Sequence, residues 1–172
     1  SMSMLAVPWV IVDTVPEGPL TRDARTVKEL LTDPVRTAAV LVTLAEEMPV
    51  NEALELEAKL TSFGVVPQQL IVNQVYPDHF PKGSPLSKVL DALIGDPEAI
   101  RISGMIAALG SPLAETTAHA SLSRDRRALN ERYLAELRRR TKTPLVELPM
   151  LFTHRLGPPH VQLLGDRLMS EP

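Results

Sequence analysis

The strongest constraint on the fold is a strand–helix–strand pattern between residues 37 and 75. TAAVLVT (37–43) and QLIVNQV (69–75) are β-branched runs without polar–apolar alternation, the pattern of strands covered on both faces. Between them, NEALELEAKLTSFG sets Ala53, Leu56, Leu60 and Phe63 at helical spacing, and Gly64 supplies a stop. A crossover of this length joins neighbouring parallel strands. PLVELP (144–149) reads as a third strand of the same kind.

Composition agrees with a helix-covered sheet. Aromatic residues make up only 3% of the 172-residue chain against 44% apolar residues, so Leu, Val, Ala and Ile must build the core. That favours helices on a parallel sheet over an aromatic-rich sandwich. The expected class is α/β, with a partial parallel sheet of about three strands flanked by helices, in a single domain spanning 1–172. Three strands are few for this class and suggest a missing neighbour. Ser1-Met2 reads as an expression scar.

The net charge of −3 argues against a nucleic-acid partner or a general anionic-membrane binder. Cysteine is absent, which removes disulfides, thiolate metal sites and a cysteine nucleophile. The four histidines lack metal-ligand spacing. No apolar run approaches the ~20 residues of a membrane span, no signal-peptide layout opens the chain, and a cytoplasmic location is expected.

After the second strand, YPDHFPKGSP reads as a surface loop. Helices are expected at about 85–94, 97–109, 112–142 and 159–169. In the third of these, Ala118, Leu122, Leu129, Tyr133 and Leu137 form one face. Arg124, Arg126, Arg127, Arg132, Arg138, Arg139 and Arg140 lie opposite, either as a solvated surface or as a docking surface matching the acidic stretch Glu46–Glu57.

Ligands of open parallel sheets bind beyond the carboxyl ends of the strands. The residues delivered there are Thr43 to Glu47, Asn73 with Gln74, and Pro149 with Met150. An amide can both donate to and accept from an adenine edge, and a carboxylate can accept from ribose hydroxyls. None of these groups is a nucleophile or a phosphate cradle, so the rim looks like the base-and-sugar end of a nucleotide site. By spacing alone, Glu46 serves equally as a helix N-terminal charge and Asn73 as a strand-end turn residue.

DPVRTAAVLVTLAEEMPVNEALELEAKL followed by GVVPQQLIVNQVYP resembles the arsenical pump-driving ATPases and the related ATPases that target tail-anchored membrane proteins. The interval of 27 residues from Glu46 to Asn73 matches the family without a gap. RRALNERYLAELRRR and PLVELPMLFTHRLGPPHVQLL look like its C-terminal helix, last strand and closing helix. The resemblance implies the C-terminal half of a P-loop NTPase fold. It also implies that Glu46 and Asn73 contact ATP from the nucleoside side, while Leu148-Pro149-Met150 lines the adenine. For the parent protein it implies ATP with Mg²⁺, homodimerisation around nucleotide, and a cargo or membrane partner that the sequence does not identify.

The departures from the family are equally specific. No G-K-G-G-V-G-K-T-type loop is present, so no backbone cradle or lysine exists for phosphates. The expectation is a chain inactive by itself, with no nucleotide or metal bound. The zinc-binding C-x-x-C of one branch and the metalloid-binding cysteines of some pumps are also missing.

VIVDTVPEG admits two readings. Asp13, Pro16 and Gly18 fit the D-x-x-P-x-G spacing of the second switch, which would make VIVD (10–13) a fourth strand and Asp13 the switch aspartate. Alternatively, the true switch lies upstream of residue 3 and has been cut away. VPWVIVDTV is then helix or irregular chain before a helix ending near Thr32. The second is the preferred expectation, because Pro19 replaces the family's histidine and only 18 residues separate Gly18 from the strand. Outside the ATPase reading, the runner-up is a stand-alone interaction module of the same fold without nucleotide chemistry.

Overall fold

The computed structural model describes residues 2–96, 98 and 113–170. The chain begins with helices α1 (Met2–Leu5), α2 (Val7–Thr14) and α3 (Pro19–Thr32). There follow β1 (Ala39–Leu44), α4 (Glu47–Ser62), β2 (Pro67–Val75), α5 (Pro85–Gly95), α6 (Leu113–Arg140), β3 (Leu145–Pro149) and α7 (Pro158–Ser170). The sheet is parallel, in the order β1-β2-β3. The expected 97–109 helix lies outside the described residues.

The crossover forms as its sequence dictates. α4 ends where Gly64 adopts φ +80°, a conformation that costs a side-chain-bearing residue about 1–2 kcal/mol. The Val65 amide then donates to the Leu60 carbonyl and the Gly64 amide to the Thr61 carbonyl, both at 3.0 Å. This paired C-terminal cap satisfies two helix carbonyls and turns buried Val65 back toward β2.

One sheet face carries Leu41, Thr43, Leu70 and Val72, all buried, beneath α4 and α6. The core continues through Val50, Ala53, Leu54, Leu134 and Leu137. On the other face α7 packs against β3, and Val146 and Leu148 are buried. Cover stops there: Val42 is 65% exposed and Val40 49%. The expectation that the strands are covered on both faces therefore fails for β1. The run is apolar throughout, but among the described residues no helix lies over that side.

The segment VIVD is helical, within α2, so the fourth-strand reading of Asp13 is overturned. α2 carries the chain's single tryptophan, Trp9, whose ring lies 5.0 Å from that of Phe63 with Lys28 on it. Phe63 caps the C-terminal end of α4, so the helix bearing Asp13 docks about 24 Å along α4 from Glu46. Asp13 itself is exposed. The sheet has three strands among the described residues, and α3 ends at Thr32, as the preferred reading expects.

α6 follows its expected span but not its expected phase. Tyr133 and Leu137 are buried, whereas Ala118, Leu122 and Leu129 are exposed. The buried line runs Asn130, Tyr133, Leu134, Leu137, an i, i+3, i+4, i+7 stripe that starts on a polar residue.

Four of the arginines of α6 form ion pairs within the chain. Arg124 pairs with Asp91 of α5, Arg138 with Glu147 of β3, and Arg127 and Arg140 with Glu131 and Glu136 of their own helix. From the acidic stretch, Glu57 holds the turn that follows α6. Glu57 Oε1 accepts from Thr143 Oγ1 at 2.7 Å, Thr141 Oγ1 at 2.9 Å, and the amides of Lys142 and Thr143 at 3.1 Å. Among the described residues, no helix is long and apolar enough to cross a membrane.

Candidate nucleoside site

The carboxyl ends of the strands form the candidate site. Leu44 of β1 stands in register with Asn73 of β2. Beyond Val72 the β2–β3 register shifts, so that Val75 rather than its predecessor pairs with Pro149. Gln74 sits in this bulge with φ +58°, uncommon for a residue with a side chain.

The bulge takes the Gln74 amide out of the ladder, and Asn73 Oδ1 accepts it at 2.9 Å. One end of the Asn73 amide is thus held by its own turn, as expected of a strand-end turn residue. The other end, Nδ2, has no hydrogen-bond partner among the described residues. The side chain is fixed and still has donors to offer.

The Met150 amide donates to the Val75 carbonyl at 2.8 Å, joining the end of β3 to that of β2. Asn73, Gln74, Pro149 and Met150, with Leu156 and Leu164, line a cavity of about 240 Å³. Three of the four residues expected at a nucleotide thereby share one cavity. Leu156 and Leu164 were not singled out from the sequence. Their signal is the apolar spacing of the closing helix and the turn before it, which by itself indicates only burial.

Glu46 does not line that cavity. It is the N-cap residue of α4, with extended backbone (φ −137°, ψ 159°), and its exposed carboxylate makes no capping hydrogen bond. On the β1 side of Asn73 lies a second cavity, of about 300 Å³, lined by Thr43, Leu44, Glu52 and Leu56 as well as Asn73. Its carboxylate is Glu52, about one and two-thirds turns further along α4 than Glu46. Asn73 therefore stands between two pockets, of which the second carries a carboxylate.

A third hollow, of about 410 Å³, is lined by Glu57, Val66, Pro67, Arg140, Lys142 and Thr143. It opens at the amino ends of β2 and β3, away from the rim where parallel sheets bind ligands, and Glu57 is already engaged there by Thr141 to Thr143.

The rim is braced from α6. Buried Asn130 accepts the Tyr76 amide on Oδ1 at 2.8 Å and donates from Nδ2 to the Ala45 carbonyl at 3.1 Å. Arg127 donates to the Tyr76 carbonyl at 2.9 Å. Arg126 reaches the Tyr76 hydroxyl and lies over its ring, 5.4 Å from the centroid. The Tyr76 ring also meets Phe152, beyond β3, edge-on at 5.7 Å.

Among the described residues, no group of three or more acidic or histidine side chains is placed to hold a metal ion. The donors at the rim are amides, backbone groups and single carboxylates; a Mg²⁺ ion held through one such carboxylate would take the rest of its oxygen shell from phosphates and water.

No curated protein matches the chain. Residues 10–88 match the family model for anion-transporting ATPases, ArsA_ATPase. That stretch runs from α2 into α5 and takes in Glu46, Asn73 and the bulge, whereas Pro149 and Met150 lie outside it. The parallel crossover that ends at Asn73 lies within the matched stretch, which is similar to the anion-transporting ATPase family.

Proposed function

We propose that this chain supplies the nucleoside side of an ATP site. The adenine would enter the cavity between Asn73 and Pro149-Met150, and the sugar would lie toward Glu46 and Glu52. The observation that carries this is Asn73, pinned through Oδ1 with Nδ2 unpartnered among the described residues, lining a mainly apolar cavity of about 240 Å³. An amide held this way pays little ordering cost on meeting a base edge.

The chain has no glycine-rich phosphate loop. Phosphates, and the Mg²⁺ that travels with them, would be held outside this rim, and the chain alone would bind nucleotide without turning it over. Phosphoryl transfer rests on positioning and charge around the phosphates, which amides and isolated carboxylates at the nucleoside end do not provide.

The experiment is a titration of the 172-residue chain with adenosine and with ATP, followed by amide resonances. Asn73 and Met150 should respond to both ligands, with ATP no tighter than adenosine, and Asn73→Ala should abolish the response. Silence of the rim toward adenosine would refute the nucleoside reading. ATP turnover that disappears in Asn73→Ala would refute the claim of inactivity. The interaction-module alternative relied in part on Arg124, Arg127, Arg138 and Arg140, each of which is paired with a carboxylate within the chain.

A further inference from the structure

Asn130 is a buried polar side chain at the start of the buried stripe of α6, and both ends of its amide are used. Nδ2 holds the carbonyl of Ala45, the residue preceding Glu46. Oδ1 holds the amide of Tyr76, three residues beyond Asn73. One side chain thus ties together the carboxyl ends of β1 and β2. The sheet hydrogen bonds that pair the strands stop at Leu44 and Asn73, so beyond that point the two chain ends have no ladder to keep them in register.

We propose that Asn130 is a positioning residue of the rim: by bridging Ala45 and Tyr76 it fixes the first turn of α4, with Glu46, at one separation from the Asn73 bulge. This rests on the nucleoside reading for its role in binding, though not for its effect on the rim itself. The choice of residue follows from the chemistry. Only an amide offers a donor and an acceptor about 2.3 Å apart on a short, neutral stem. Leucine would leave a buried N–H and C=O without partners. Aspartate would keep the bond to Tyr76 and face the Ala45 carbonyl with a second acceptor.

The test has two arms, both on the full chain. The first needs no ligand. The chain lacks cysteine, so Met48→Cys and His79→Cys, both at exposed positions, accept spin labels on either side of the rim without touching Asn130. The parent should give one narrow distance distribution. Asn130→Asp, and Asn130→Ser in case the buried charge prevents folding, should broaden or shift it. Arg138→Gln on the same helix should leave it unchanged. An unaltered distribution in a folded Asn130 variant overturns the proposal.

The second arm titrates adenosine and 2′-deoxyadenosine. The Asn130 variants should bind adenosine about three- to tenfold more weakly, the range a single lost hydrogen bond allows, and lose any preference for the ribose hydroxyl. Equal affinity and equal preference in a folded variant overturn the role in binding. Failure of adenosine to bind the parent sinks the nucleoside reading, while the spin-label arm still decides whether Asn130 sets the rim.

Discussion

Glu57 offers the sharpest test of how this fold is held. It lies on α4 and organises the turn that takes α6 into β3, so it determines where the strand bearing Pro149 begins. Its Oε1 accepts four hydrogen bonds, two from hydroxyls and two from backbone amides, between 2.7 and 3.1 Å. Glu57→Ala removes all four. Thr141 and Lys142 are near water and recover partners. The Thr143 amide has a fallback in Thr141 Oγ1 at 3.0 Å, and buried Thr143 Oγ1 has no such alternative. The net loss should be about 2–3 kcal/mol. Glu57→Gln retains an oxygen at the same place without its charge, and should cost about 1 kcal/mol, since charge-assisted bonds are roughly twice as strong as neutral ones.

The same site fixes a pH dependence. Burial raises the Glu57 pKa, but the hydroxyls of Thr143 and Thr141 and the amides of Lys142 and Thr143 together outweigh it, leaving the carboxyl below its ordinary value of 4.5. A depressed folded-state pKa contributes stability that is complete above the unfolded value and is lost as pH falls through the folded one. The difference between parent and Glu57→Gln, measured by urea unfolding, should therefore be constant from pH 8 to about pH 5.5 and shrink below about pH 4.5. At neutral pH the alanine variant should melt about 4–12 °C below the parent. Equal midpoints for the Ala and Gln variants, or a parent–Gln gap unchanged at pH 3, would refute the argument.

Three further outcomes follow from the packing. Gly64→Ala should cost about 1–2 kcal/mol through its positive φ alone, because the added methyl would meet only Thr32 Cγ2, at an ordinary 3.5 Å; urea unfolding gives the number, and a neutral result would contradict the left-handed cap. Leu134→Ala should destabilise by about 2–5 kcal/mol and Leu122→Ala by less than about 0.5 kcal/mol, with the reverse order restoring the stripe read from periodicity. Phe63→Leu should shift the emission of Trp9, the single tryptophan, to longer wavelength by opening its ring contact at 5.0 Å, with little change in adenosine binding at the other end of α4; unchanged emission would mean the α2–α3 pair does not dock there.

What the sequence made legible was local. The crossover needed only the Ala53–Phe63 spacing and Gly64, and the structure adds the paired cap bonds that explain why the glycine ends the helix. The rim was legible because parallel strands deliver their ends to one side, so Asn73, Pro149 and Met150 meet whatever the details. Glu46 was less legible: as N-cap it lies outside the cavity, and Glu52, further along the helix, is the carboxylate that lines a cavity with Asn73. The exposed side of β1 was illegible, because an apolar run does not say which neighbour covers it. The phase of α6 was misread for a related reason. Apolar spacing selects leucines, whereas the fold buries Asn130, whose two partners lie just past β2 and β1, 54 and 85 residues away.

That displaced phase also accounts for the charge pattern of α6. Once Asn130, Tyr133, Leu134 and Leu137 face the sheet, the arginines flanking this line fall at the margins of the helix, where the neighbouring elements end. Arg124 is brought to α5, Arg126 and Arg127 to Tyr76 beyond β2, and Arg138 to β3. Long side chains with forked donors suit such margins, since their stems cover apolar surface while their heads reach carboxylates and carbonyls. A helix that reads in sequence as a basic surface is therefore the brace of the sheet. The residues that would touch a nucleoside are held at one end of that sheet by side chains that would not touch it.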